Sequence, residues 1–169
     1  WIENHINQYM NNLLKTNEVD YVLASDTDSI YLRLGPLVNK VYSEKTDTNQ
    51  IIAFMDRVCE DKIQPSIDES YKNLAEYVHA FAQKMQMKRE GLADKGIWTA
   101  KKRYILNVFD SEGVRYETPK LKMMGIETAK SSTPQWVRTR LEEAIKIVMQ
   151  GDEEQLWDYV ETARKEFRE

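Results

Sequence analysis

Asp26 and Asp28 stand two residues apart in the run Ser25-Asp26-Thr27-Asp28-Ser29, between the apolar stretches Tyr21-Val22-Leu23-Ala24 and Ile30-Tyr31-Leu32-Arg33-Leu34. In extended backbone this spacing puts both carboxylates on one face. Two neighbouring carboxylates repel unless a cation lies between them. Mg2+ is a hard cation that favours oxygen ligands and keeps waters or substrate phosphates in its shell. The pair therefore reads as a candidate metal corner on a tight turn. Small Ser25, Thr27 and Ser29 leave room for a triphosphate and offer hydroxyl donors. The competing reading is a hairpin loop built from turn-forming residues, since Asp, Ser and Thr bond their local backbone. A bare Asp-x-Asp leaves both open. A calcium loop fits less well, because the glycine and further acids of an EF-hand are missing.

A second group is cationic: Lys101-Lys102-Arg103-Tyr104, just ahead of a strand. Such side chains reach phosphates and the minor-groove acceptors shared by every base pair. The alternative is a basic strand edge that blocks aggregation. Net charge is −4, which alone argues against nucleic acid, but the charge is uneven. Seven basic and thirteen acidic residues lie in 1–83, eleven and six in 84–130, and six and nine in 131–169. A local basic excess is what phosphate contact needs, and a solvated surface explains it equally well. His5 and His79 have no partner pattern for zinc or a catalytic triad and read as ordinary helix residues. Cys59 reads as packed, and Met85, Met87, Met123 and Met124 as fillers of core gaps.

The elements that would position these groups follow from periodicity. Ile2, Ile6, Tyr9, Met10, Leu13 and Leu14 predict a helix over 2–14, followed by a loop at 17–20. The strands 21–24 and 30–34 predict a hairpin ended by Gly35-Pro36. A polar loop over 43–50 precedes a long helical pattern: Ile51, Phe54, Met55, Val58, Ile67, Tyr71, Leu74, Val78 and Phe81. Pro65 should kink it or start a second helix. Gly91 and Gly96 make 90–97 read as a loop. A strand over 104–109, a turn at Asp110-Ser111-Glu112-Gly113 with glycine at positive φ, and a strand over 114–117 form a second hairpin. Thr133-Pro134 reads as a helix start with a capping hydroxyl. That helix carries the face Val137, Leu141, Ala144, Ile145 and Val148, and Gly151 ends it. Asp152 caps a last helix with the face Leu156, Tyr159, Val160, Ala163 and Phe167. The order implies an α+β fold, an antiparallel sheet backed by helices with a helical extension.

The 169 residues, 41% hydrophobic and 31% charged, suit one domain or one domain with an appendage and exclude a disordered chain. No run nears the roughly 20 apolar residues of a membrane span, and no signal-peptide pattern opens the chain. One cysteine excludes an internal disulfide and fits a reducing compartment. The chain starts Trp1-Ile2-Glu3 without methionine, as a piece of a longer protein would.

The full string Asp26-Thr27-Asp28-Ser29-Ile30-Tyr31, set between apolar strands, resembles the third signature motif of family B DNA polymerases. There a Tyr-Gly or similar pair precedes Asp-Thr-Asp-Ser at a hairpin turn of the palm; here the pair is Ala24-Ser25. Lys101-Lys102-Arg103-Tyr104 resembles that family's Lys-Lys-Arg-Tyr motif, which contacts the primer-template near its growing end. The stretch from Pro119 to Pro134, Pro-Lys-Leu-Lys-Met-Met-Gly-Ile-Glu-Thr-Ala-Lys-Ser-Ser-Thr-Pro, resembles the palm-to-thumb passage of the replicative polymerases of T-even-like bacteriophages. The match runs in order across nearly the whole chain. Met87-Lys88-Arg89-Glu90 is similar to that group's Met-Asp-Arg-Glu, but Lys88 replaces the aspartate, and 91–97 is shorter than usual.

The resemblance implies a palm portion over 1–133 and the beginning of a helical thumb over 134–169. It implies template-directed nucleotidyl transfer in DNA replication: the primer 3′-hydroxyl attacks the α-phosphate of a deoxynucleoside triphosphate, assisted by two Mg2+ ions roughly 3.5–4 Å apart. Asp28 would bind both metals and Asp26 less directly. Thr27, Ser29 and Glu90 would support the site. Lys101, Lys102, Arg103, Tyr104, Lys122 and Lys130 would hold primer-template DNA. The family's other catalytic aspartate, its fingers and its exonuclease belong before Trp1, and most of the thumb after Glu169. The expectations are a half-site that does not polymerise alone and partners in the remaining polymerase segments or a second chain. The setting would be the host bacterial cytoplasm, with no membrane contact. A non-catalytic DNA-binding module and one part of a split polymerase are the alternatives.

Overall fold

Helix α1 (Ile2–Leu14) forms where the periodicity places it. Ile6, Met10 and Leu14, four residues apart, are each at most 2% exposed and form its buried stripe. Left-handed Lys15 (φ 54°) closes it, its N–H bonding back to Asn11 and Asn12. The computed structural model describes residues 1–43 and 46–168. The fold is α+β, in two units, Trp1–Glu90 and Gly91–Glu169. The expected antiparallel sheet is realised as two sheets, one of two strands and one of three.

In the first unit, β1 (Val22–Asp26) and β2 (Ser29–Leu32) pair antiparallel. A short helix, α2 (Gly35–Val41), follows where Gly35-Pro36 was expected only to end the strand. Proline is tolerated there because a first-turn N–H has no intrahelical partner. Helix α3 (Thr48–Val58) starts inside the expected loop 43–50, of which residues 44 and 45 lie outside the described residues. Pro65 stands in the first turn of a second helix, one of the two outcomes expected of it. It lacks an N–H, and its ring would crowd the carbonyl of Asp61. A π-turn (Cys59–Ile63) absorbs this, with Gln64 N–H bonding to Cys59 C=O, before α4 (Gln64–Tyr77) continues. Ile52, Met55, Cys59, Ile63, Ile67 and Tyr71 are buried along this run. The helix ends at Tyr77, earlier than the pattern suggested. Val78 and Phe81 are exposed, and His79 sits in a left-handed turn (φ 52°) rather than in a helix.

In the second unit, β3 (Gly91–Ala100), β4 (Arg103–Ser111) and β5 (Val114–Met124) form an antiparallel sheet in that order. Of the expected loop 90–97, all but Glu90 is thus strand. Its glycine at 96 is a packing residue: a Cβ there would lie 2.7 Å from the Trp98 ring and 2.9 Å from Leu106 Cδ2. The indole crosses the strand where glycine leaves space. Glu112 and Gly113, both at positive φ (52° and 85°), make the two-residue turn into β5. β5 runs beyond the expected 117. Pairing jumps from Asp110↔Arg115 to Val108↔Lys120, so Pro119 falls in an unpaired stretch of an edge strand, where no ladder N–H is required.

A 3₁₀ turn (Glu127–Ala129) leads to α5 (Gln135–Gln150) and α6 (Glu153–Glu166). Pro134 is itself the N-cap of α5, which leaves Thr133 one residue too far out to cap. Asp152 caps α6 as expected, accepting from Gln155 N–H at 2.9 Å. Ile105, Ile126 and Met149 form the buried cluster, with Leu121, Met123 and Ile145 packed on it. Met123 fills the core as expected, whereas Met85 and Met124 are exposed.

Candidate catalytic turn and nucleic-acid interface

The register Asp26↔Ser29 makes Thr27-Asp28 a two-residue hairpin turn. Thr27 has φ 52°, and Asp28 N–H donates to Asp26 C=O at 2.6 Å. The two aspartates therefore do not lie on one extended strand. Asp26 ends β1 while Asp28 is at the apex, so the turn, and not one strand face, sets their relation. Asp28 is exposed and Asp26 half-buried. Ser29 Oγ donates to Asp26 C=O at 3.2 Å and Thr27 Oγ1 to Asp26 Oδ1 at 3.3 Å. Thr27 and Ser29 thus brace the turn. Ser25 Oγ donates to Glu3 Oε1 from α1. On α4, burial pushes the Tyr71 hydroxyl up, and the Asp28 charge adds to it.

The placement of this hairpin comes from α1. Asn7 Oδ1 accepts Tyr21 N–H at 2.8 Å, and its Nδ2 donates to Asp20 at 2.8 Å. Asn11 accepts Val19 N–H at 3.0 Å and donates to Val19 C=O at 2.8 Å. Two asparagines four residues apart on the polar side of α1 thereby set where β1 begins. Sequence reasoning missed them, because they look like a solvated face.

Glu90 follows a segment that is also pinned. Arg89 Nη2 pairs with Asp56 Oδ1 at 2.9 Å, and Gln64 Nε2 donates to Met87 C=O at 2.8 Å. Asp56 and Gln64, eight residues apart, would face directions roughly 80° apart in a regular helix. The intervening π-turn removes about one residue's rotation and brings them to within roughly 20°. Cys59 lies beside this pair; burial pushes its thiol up to about 11, with Arg89 opposing.

The donor set at the hairpin fits a hard cation in type, carboxylate and hydroxyl oxygens on a braced turn. It is short in number: among the described residues, no group of three or more His, Cys, Asp or Glu could hold a metal ion.

The cationic motif occupies the second unit. Ala100↔Arg103 pairing makes Lys101-Lys102 the tip of the β3–β4 hairpin, with Lys102 left-handed at φ 60°. Both are exposed, and Arg103 is half-exposed. Tyr104 is buried, its ring centroid 6.4 Å from that of Trp98. Lys122 stands opposite Leu106, on the sheet face that also carries Tyr104. Gly125 (φ 65°) lets the following segment close on this tip: a Cβ there would lie 2.4 Å from Lys102 C=O. That brings Glu127 and Lys130 to Arg103. Arg103 Nη2 donates to Glu127 Oε1, and Lys130 Nζ reaches the same oxygen at 3.3 Å. A backbone hydrogen bond, then Lys130, then Arg103 hold the Glu127 carboxyl below its ordinary range. Glu127 carried no signal in the sequence. Asp26, Asp28 and Glu90 thus share one unit, and Lys101, Lys102, Arg103, Tyr104, Lys122 and Lys130 the other.

No family model matches the chain. It is 39% identical over 178 residues to the DNA-directed DNA polymerase of Enterobacteria phage T4, covering all of this chain and 20% of that protein. It is 43% identical over 162 residues to the DNA-directed DNA polymerase of Escherichia phage RB69, covering 90% of this chain and 18% of that one. The chain spans about one fifth of the length of these curated relatives. Similarity at this level along its whole length places the chain in the T-even-like group of family B DNA polymerases, as the counterpart of about one fifth of such an enzyme.

Proposed function

We propose that the chain is the palm portion (1–133) and thumb start (134–169) of a DNA-directed DNA polymerase that copies DNA in the host bacterial cytoplasm. The observation that carries this reading is the Asp26-Thr27-Asp28-Ser29 hairpin, which presents Asp28 at an exposed apex on a braced turn. Asp28, with Asp26 behind it, would hold Mg2+. When bound, the metal pair lowers the barrier to attack by the primer 3′-hydroxyl and stabilises charge on the departing pyrophosphate. Thr27 and Ser29 hold Asp26 in place, and Glu90 supports the site from its pinned segment. Lys101, Lys102, Arg103, Lys122 and Lys130 hold primer-template DNA through phosphates and minor-groove acceptors. Tyr104, being buried, serves that contact first by fixing the hairpin.

The shortage of ligands favours a half-site that polymerises only with a chain or segment carrying the matching aspartate. A purified 169-residue chain is then expected to bind Mn2+ weakly, seen by electron paramagnetic resonance, and to lose that binding on Asp28→Ala. It is expected not to extend a primer. Mn2+ binding unchanged by Asp28→Ala would favour a DNA-binding module with a purely structural turn.

A further inference from the structure

Arg103 and Lys130, from β4 and from the end of the 3₁₀ turn, converge on one carboxylate oxygen, Glu127 Oε1. We infer that Glu127 occupies, in the DNA-free protein, the position of a DNA phosphate between these two cations, and that DNA binds by displacing it. The inference rests on the DNA-binding reading above and adds a competitor to it.

Three observations support it. First, the geometry is that of an anion site: a guanidinium and an ammonium share one oxygen. A phosphate fills such a site better, because it offers more acceptors and pairs with arginine in two parallel bonds. Second, the latch is weak. The side chains of Arg103, Glu127 and Lys130 are 39%, 45% and 51% exposed, and ion pairs so exposed contribute little. Third, the segment meets the hairpin tip at a second point. A Cβ on Gly125 would lie 2.4 Å from the Lys102 carbonyl. The carboxylate is therefore not the segment's sole contact with the tip, while it cancels one of two positive charges where DNA would come.

The test is fluorescence anisotropy of a labelled primer-template with the full 169-residue chain over a NaCl series. Glu127→Gln and Glu127→Ala are expected to bind about 3- to 10-fold more tightly at low salt. Their plot of log affinity against log salt should be steeper, because binding no longer frees a carboxylate that takes up a cation as DNA releases its own. In an Arg103→Ala, Lys130→Ala background, Glu127→Gln should change nothing. Thermal melts confirm that each variant is folded. If wild type binds but both Glu127 variants bind equally or less tightly, Glu127 orients the cations and the inference is overturned. If no variant and no wild type binds DNA, the DNA reading itself fails and takes the inference with it.

Discussion

At the scale of single residues, the chemistry sits on side chains whose neighbours differ in how visible they are in sequence. Asp26 and Asp28 stand out because they lie in a contiguous Asp-Thr-Asp-Ser string between apolar strands. Asn11 does not, yet it satisfies both the N–H and the C=O of Val19 and accepts from Thr16 Oγ1 at 2.9 Å. Asn11→Ala leaves these groups without their partner just where the chain turns toward β1. It should lower the unfolding free energy by about 2 kcal/mol in urea titration, with faster amide exchange at Val19. Glu127 is equally silent in sequence, because its pairing with Arg103, between strand and 3₁₀ turn, has no local spacing.

At the scale of elements, legibility follows local periodicity. α1 shows it over 2–14, and α6 carries the start signal Asp152, so these bounds could be read directly. The hairpin turns were legible where polar residues separate apolar strands. β3 was not, since glycine is read as a breaker unless its partner is known. Here the partner is Trp98, whose ring fills the space over residue 96. Gly96→Val should force the indole off the strand and cost about 1–3 kcal/mol, read as a lower melting temperature with a shifted tryptophan emission. An unchanged melt would remove the packing argument. The π-turn was illegible for a related reason: Pro65 signals trouble in a helix, but only the packing on both sides decides that one extra residue resolves it.

At the scale of the whole molecule, the expected site residues divide between the two units, the carboxylates in Trp1–Glu90 and the cationic hairpin in Gly91–Glu169. The fold class and the order of motifs were readable because each rests on contiguous residues. The expectation that other segments complete the site came only through the resemblance, as nothing within 169 residues announces what a longer enzyme supplies. No helix is long and apolar enough to cross a membrane among the described residues. The central claim is that Asp28 is a metal-binding residue of a polymerase site completed by other segments. The most direct measurement replaces the matching fifth of the phage T4 polymerase with this chain and follows primer extension by the chimera. Extension is expected, with a loss of more than about 100-fold on Asp28→Asn, since even an outer-shell partner of a metal is worth 10–100-fold. Extension that survives Asp28→Asn undiminished would contradict the account.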